Sequence, residues 1–504
     1  MNLSKHLTIY FTSDTHGYLY NTNFASREPL PMGLLGFTFP KDGNTLVIDG
    51  GDTIQGSPLT DYCHENGVPL PITGVMNRLG YDYVTLGNHD FNYGPDWLRL
   101  HLQGLRAKCL CANVAEEGLD LPILPYAVHV LENGLRVGLV GLVTQWVNRW
   151  EKPENLRGLT ITEPVEPARR AVEQLRAQGV DLVIGIYHGG IERDLATGRS
   201  LSATDENLAC RLCEEVPFDL LLTGHQHIAM AEKQWHGVHL AQTPCNATQC
   251  VRVDIDVDGG RKEIHSALLP ARADGAEDPE LSALRRKLEA WLDEPVGRLS
   301  CDLWPADKLD MALHGSSIAD FFNMVQLWAT GAEVSCAALP NELRGLAKEV
   351  TVRDVVASYI YSNTLVTLRV TGAVLRQALE QCARYFAVGP DGRVAISSAF
   401  LEPKEAHYNY DYFAGIEYTF DLRRPEGQRV TALTRGGVSV LDTDSLTLVM
   451  CNYRATGAGD FDMYLGCERV QEGQAEVSQL ILDYVRAHPM VKIPEKHPCT
   501  VIVP

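Results

Sequence analysis

The chain has 504 residues, too many for one hydrophobic core, so two or more domains are expected. Its apolar content of 45% and charged content of 21% are those of an ordinary globular protein. The formal net charge of −20 excludes a general nucleic-acid or anionic-membrane surface, while a small anionic substrate could still be drawn to a local metal charge.

Thirteen cysteines, an odd number without framework spacing, suggest reduced thiols in a reducing compartment. The first apolar run, Leu7 to Phe11, is short and leads directly into candidate site residues, so it does not read as an export signal. No stretch approaches a membrane span. The expected location is cytoplasmic, unless a leader has been removed.

Leu7–Phe11 predicts a strand, with Asp14 and His16 just beyond its end. Thr45–Ile48 predicts the next, running into Asp49-Gly50-Gly51-Asp52, whose glycines permit a tight turn from which Asp52 projects. Tyr83–Leu86 predicts a third and ends in Gly87-Asn88-His89-Asp90-Phe91-Asn92-Tyr93-Gly94. Val180–Ile186 leads to His188, and Phe218–Leu222 to His225 and His227. A helix over Pro167–Gln178 lies among them.

Strands alternating with helices imply an α/β layer fold, in which ligand sites gather at the carboxyl ends of the strands. All five motifs fall at such ends. The predicted first domain spans residues 1–270. Leu281, Leu284, Leu288 and Trp291 share one face of a linking helix within 271–294, a stripe that reads as core or linker packing. A second α/β domain over 295–504 is predicted, with helices near 316–330, 352–361, 372–386 and 473–488. Its strands are expected near 364–370, 416–421 and 445–452.

Asp14, His16, Asp52, Asn88, His188, His225 and His227 form the candidate metal set. Imidazoles with a few carboxylates suit Zn, Mn, Fe, Co or Ni better than Ca or Mg alone. Seven ligands exceed one closed tetrahedral site but suit two divalent ions sharing a carboxylate, for which Asp52 is the natural bridge. Asp14, His16 and His227 are assigned to one ion, and Asn88, His188 and His225 to the other. Such a pair can clamp phosphate oxygens and lower the pKa of a bridging water, so that hydroxide attacks phosphorus in line. His89, beside Asn88 but not needed as a ligand, is the candidate to stabilise the transition state or protonate the leaving oxygen. Cys210 and Cys213 lie in a helical pattern without a second pair and read as buried thiols, as do Cys109 and Cys111. His236 and His239 read as structural.

Asp14-x-His16, Gly51-Asp52, Gly87-Asn88-His89-Asp90, His188-Gly189 and Gly224-His225-x-His227 resemble, in order, the calcineurin-like metallophosphoesterase signature. The two-domain layout resembles the 5′-nucleotidase family, which implies a nucleoside-binding carboxyl-terminal domain. Asn88–Gly94, His407-Tyr408-Asn409-Tyr410-Asp411, Asn452-Tyr453-Arg454-Ala455 and Tyr361-Ser362-Asn363-Thr364-Leu365 most resemble its 2′,3′-cyclic-nucleotide 2′-phosphodiesterase/3′-nucleotidase branch. The 5′-nucleotidase pattern carries an Asp three residues after the catalytic His, where this chain has Asn92. It also carries a Gly-Gly-Ile-Arg clamp where this chain has Ala337-Ala338-Leu339-Pro340-Asn341.

The resemblance implies catalytic roles for His89 and Asn92, with Asn92 orienting the ring but lending it no charge. It implies Asn88 as a substrate contact as well as a ligand, and a base held between Tyr410 and Phe461. The expected partner is a small nucleotide, with no nucleic-acid polymer and no membrane. The alternatives are a 5′-nucleotidase or UDP-sugar hydrolase, and a degenerate, non-enzymatic scaffold module, which the full ligand set disfavours.

Overall fold

The computed structural model describes residues 4–25, 28–201, 205–361, 363–401, 405–473 and 475–504. Ser362 and Gln474, within two of the stretches named above, lie outside them. The chain forms two compact units that part between Leu288 and Glu289. That division falls inside the helix Pro279–Leu292. Of the stripe, Leu281 and Leu288 are buried, while Leu284 and Trp291 are only partly covered.

In the first unit, one seven-stranded sheet is ordered Arg261–Pro270, Gln249–Asp258, Lys5–Thr12, Thr45–Asp49, Tyr83–Val84, Lys108–Leu110, Ile123–Leu124. A six-stranded sheet is ordered Met230–Trp235, Val238–Gln242, Leu220–Thr223, Leu182–His188, Arg136–Val143, Tyr126–Val130. Lys5–Thr12 pairs parallel with Thr45–Asp49, and Leu182–His188 pairs parallel with both Arg136–Val143 and Leu220–Thr223.

The pleat divides these strands between two cores. Leu182, Ile184, Ile186, Leu220 and Leu222 meet Leu7, Ile9, Phe11, Leu46 and Ile48 in one cluster, which places the two sheets face to face. Val183, Tyr187 and Leu221 point the other way, onto the helices Val165–Ala177 and Ala209–Glu215. With both faces covered, the central strands are continuous apolar runs, and this is why they stand out in the sequence.

Antiparallel strands close three of the four edges, and Ile123–Leu124 pairs parallel at the fourth. The longest antiparallel pair, Gln249–Asp258 with Arg261–Pro270, turns at Gly259-Gly260, both at positive φ, and extends the first sheet beyond Lys5–Thr12. The layers are therefore mixed sheets rather than uninterrupted βαβ repeats.

The second unit has a five-stranded sheet ordered Asp411–Ala414, Val334–Ala338, Ser445–Cys451, Leu365–Thr371, Glu468–Glu472. A four-stranded sheet joins Val438–Ser439, Val430–Arg435, Glu417–Asp421 and Cys499–Ile502. Ser317–Thr330 is an amphipathic helix capped by Ser316 and ended by Gly331 in the left-handed conformation. Val477–Ala487 packs against it. The remaining expected helices run Val352–Ser358 and Gly372–Ala383. Among the described residues, no helix is long and apolar enough to cross a membrane.

Candidate metal centre

The ends of the parallel strands bring the seven candidate ligands to one place. Asp14 follows Lys5–Thr12, and its backbone N–H donates to Gly51 O (2.9 Å), while that of His16 donates to Asp52 O (2.8 Å). These bonds lash the first two loops together. The His225 N–H reaches across to Asp14 Oδ1 (2.9 Å), tying in the last loop.

Five of the seven side chains hang from left-handed backbone: Asp14, His16, Asp52, His225 and His227 have φ between 48° and 73°. That region is unfavourable for residues with a Cβ and is held only where the surroundings over-determine it, commonly at functional sites. Gly87 is required for space, because a Cβ there would overlap the Asp52 carboxylate.

The donor atoms fall in two groups. Asp14, His16 and His227 form one: His16 Nε2 lies 3.1 Å from His227 Nε2, which is 3.4 Å from Asp14 Oδ1. In the other, Asn88 Oδ1 lies 3.2 Å from His188 Nε2 and 2.9 Å from His225 Nδ1. Asp52 Oδ2 sits between, 3.1 Å from His188 Nε2 and 4.0 Å from His16 Nε2. All but His225 and His227 are buried. Converging imidazole nitrogens and carboxylate oxygens, with no lysine or arginine reaching any of them among the described residues, are a donor set suited to divalent cations.

The same geometry polarises the ligands. Burial alone would raise the Asp14 carboxyl, but His188 and His227 beside it bring it down to about 2. Asp52 is likewise held well below the carboxylate range, with burial outweighed by His188, His89 and His16. Burial lowers His16 to about 4, whereas Asp52 and Asp14 overcome burial at His188 and lift it to about 9.

Three carboxylates that the sequence reading left without a role hold this arrangement. Asp90 Oδ1 accepts the N–H groups of Thr53 (2.8 Å) and Ile54 (3.1 Å), and its Oδ2 accepts those of Asp52 (2.9 Å) and Gly87 (2.8 Å). It is the clasp between the Asp52 and Asn88 loops. Glu206 Oε1 lies 2.9 Å from His225 Nε2, which directs the other nitrogen, Nδ1, towards Asn88. Glu151 stands behind Asn92, accepting from its Nδ2 at 2.5 Å, while Asn92 Oδ1 is 2.7 Å from His89 Nδ1. Asn92 thus has no charge of its own but is bonded to one. The pairings of Glu151 and Glu206 leave no sequence signal, since these carboxylates lie far from their partners in the chain, whereas Asp90 belongs to the Gly87-Asn88-His89-Asp90 motif.

His89 itself takes its place at the edge of the cluster. Its N–H donates to Asp52 Oδ1 (2.7 Å), and its ring lies 5.3 Å from that of His16. His236 and His239 stand apart from the cluster, His239 bonded through Nε2 to Ser266 Oγ at 2.8 Å. Cys210 and Cys213 are buried in the helix Ala209–Glu215.

In the second unit, Tyr410 and Phe461 do not form the base clamp expected of them. Tyr410 is 2% exposed and wedged among Tyr385, Phe386 and Tyr412, with its hydroxyl donating to Ala312 O. Phe461 is fully buried, and both its faces are taken. Tyr464 stacks on it at 5.7 Å and 9°, and the Arg454 guanidinium lies 4.1 Å from its ring centre. That guanidinium also pairs with the buried Asp411 through Nε and Nη2 (2.8 and 3.0 Å), and Nη2 reaches Tyr408 O as well.

The rings with accessible surface are their motif neighbours, the half-buried Tyr408 and the 44% exposed Tyr453, whose centroids are 6.5 Å apart. Tyr408 and Tyr410 are two apart, so alternation alone does not separate them. The strand Asp411–Ala414 that follows decides it, by carrying Tyr410 into the core. Truncating Tyr410 or Phe461 to Ala is expected to cost about 3–5 kcal/mol. Chemical denaturation should show this as an earlier midpoint, and an unchanged midpoint would contradict the packing assignment.

The fold and the centre define the class. The calcineurin-like phosphoesterase family matches residues 7–229, and the 5′-nucleotidase C-terminal domain matches residues 296–466. A 5′-nucleotidase candidate from Staphylococcus aureus is 32% identical over 99% of this chain and 100% of its own, with a TM-score of 0.74. The chain belongs to the 5′-nucleotidase family of calcineurin-like phosphoesterases, whose members are metal-dependent phosphoester hydrolases.

Among curated relatives, the 2′,3′-cyclic-nucleotide 2′-phosphodiesterase/3′-nucleotidase of Haemophilus influenzae is 25% identical, over 95% of this chain and 84% of its own length. The trifunctional nucleotide phosphoesterase protein YfkN of Bacillus subtilis is also 25% identical over 95% of this chain, which spans 38% of that protein's length.

Proposed function

We propose that this chain hydrolyses 2′,3′-cyclic nucleotides and 3′-nucleotides at a dinuclear centre. The observation that carries a phosphoester hydrolase is the convergence of seven ligand side chains on strained strand ends. The choice of the cyclic and 3′ type is supported by relatives of that name and by Asn92 in place of an Asp.

Asp14, His16 and His227 would hold one divalent ion and Asn88, His188 and His225 the other, with Asp52 shared. When bound, such ions neutralise phosphate charge and acidify a water. Asp52 is fixed for this by the His89 N–H on Oδ1, which leaves Oδ2 facing the histidines. His89 commits Nδ1 to Asn92, leaving Nε2 to exchange a proton with the leaving oxygen. In the cyclic substrate, water oxygen bonds to phosphorus, the bond to the 2′ oxygen breaks, and that oxygen takes up a proton.

The base is assigned to the exposed ring of Tyr453, with Tyr408 meeting that ring at 72° beside it rather than facing it as a second parallel wall. Stacking contributes roughly 1–3 kcal/mol per base, so Tyr453→Ala should raise KM for nucleotides about ten- to a hundredfold. Hydrolysis of p-nitrophenyl phosphate, which has no base, should hardly change. Equal losses on both substrates would remove Tyr453 from the nucleotide site.

A substrate panel on metal-reconstituted protein tests the reading: 2′,3′-cyclic AMP, 3′-AMP, 5′-AMP and a nucleotide sugar. Turnover of the first two is expected to dominate. Preference for 5′-AMP or the nucleotide sugar would replace the reading with a 5′-nucleotidase or sugar-nucleotide hydrolase.

A further inference from the structure

Glu151 is 7% exposed, and among the described residues the polar contacts of its carboxylate are all with donors. Oε1 accepts the Lys152 N–H (2.7 Å) and the Asn155 amide (2.9 Å), and Oε2 accepts the Asn92 amide. Asn155 also holds Asn92 from its other side, donating through Nδ2 to Asn92 O (2.8 Å).

We infer that Glu151 is a positioning residue that sets the tautomer of His89 through Asn92. A carboxylate flanked by donors has no hydrogen to give, so the Asn92 NH2 must face it. The Asn92 oxygen is then turned to His89, and an oxygen can be met only by an N–H, so His89 keeps a proton on Nδ1. Proton exchange is confined to Nε2. With the amide reversed, Asn92 would present NH2 to Nδ1, which could then only accept. The ring would hold one proton, on Nε2, and could not act as an acid. The inference rests on the proposed role of His89 at the leaving oxygen only for its effect on rate. The tautomer itself is independent of that role.

Glu151→Gln separates the possibilities. The introduced amide must turn its oxygen to where Lys152 N and Asn155 Nδ2 donate, so its NH2 faces Asn92 and reverses that side chain. Adding Asn92→Asp in the same chain repairs the sequence of bonds, because the introduced carboxylate can accept from both that NH2 and His89 Nδ1–H. Long-range ¹H–¹⁵N correlation on zinc-loaded, [¹⁵N]histidine-labelled protein reads the tautomer, with the His89 signals identified by their loss in His89→Ala.

The expected pattern is Nδ1–H in the wild type, Nε2–H in Glu151→Gln, and Nδ1–H again in the double variant. The kcat for 2′,3′-cyclic AMP should fall roughly a hundredfold in Glu151→Gln with KM nearly unchanged, and most of it should return in the double variant. Nδ1–H retained in Glu151→Gln would overturn the inference, as would a folded double variant with Nε2–H. Should Glu151→Gln not fold, the double variant alone decides by the same readout. A tautomer switch without loss of kcat would uphold the control by Glu151 and overturn the proposed role of His89.

Discussion

Asp52→Asn is expected to abolish turnover and lower metal content while leaving the fold intact. The amide keeps an oxygen for the His89 N–H, so the bond at 2.7 Å survives. What changes is the other position, where an NH2 replaces the oxygen 3.1 Å from His188 Nε2 and 4.0 Å from His16 Nε2. An NH2 cannot ligate a cation and would point hydrogens at both. Changing residues that merely support metal ligands costs about 10–100-fold, so losing the shared ligand should exceed a hundredfold. Metal analysis and rates on the same sample check this. Two ions per chain with a near-normal rate would refute the shared role of Asp52.

The second large effect is expected from Asp90, which touches no candidate ion. Asp90→Ala leaves four N–H groups, those of Asp52, Thr53, Ile54 and Gly87, without their acceptor in a buried place. Each orphaned donor costs about 1–3 kcal/mol, so a loss of at least about 4 kcal/mol is expected. In a unit of this size that lowers the melting temperature by roughly 8–16 °C. Activity should fall further than the folded fraction does, because Asp52 and Asn88 would no longer be clasped together. Asp90→Asn should be milder, since one of its two ends remains an acceptor. Equal stability of Asp90→Ala and the wild type would show that other groups fix these loops.

The contrast between the two units shows what a sequence can carry. The ligands were legible because each sits within a few residues of a buried strand end, and the strands are continuous apolar runs. Chain position therefore implied spatial position. The same logic located the helices Ser317–Thr330 and Gly372–Ala383 from their apolar periodicity.

It failed for Tyr410 and Phe461 because the face an aromatic ring shows is decided by tertiary neighbours. Arg454 belongs to the motif that suggested nucleotide binding. Its guanidinium lies over Phe461 and pairs with Asp411, so it serves as a buried fastening between segments. Glu151 and Glu206 were illegible for a related reason. A single carboxylate in a loop has no periodicity, and its partner is brought to it only by the fold. The Gly259-Gly260 turn is a feature that the structure adds to the sequence reading. The long antiparallel pair it joins changes the sheet edge but not the site.

The central claim is that the seven side chains hold two ions sharing Asp52. Anomalous diffraction from crystals grown with manganese or zinc tests it most directly. The account predicts two peaks roughly 3.5–4 Å apart. One should be within ligand distance of Asp14, His16 and His227, the other of Asn88, His188 and His225, and Asp52 should reach both. A single peak, or two peaks that Asp52 does not bridge, would contradict it.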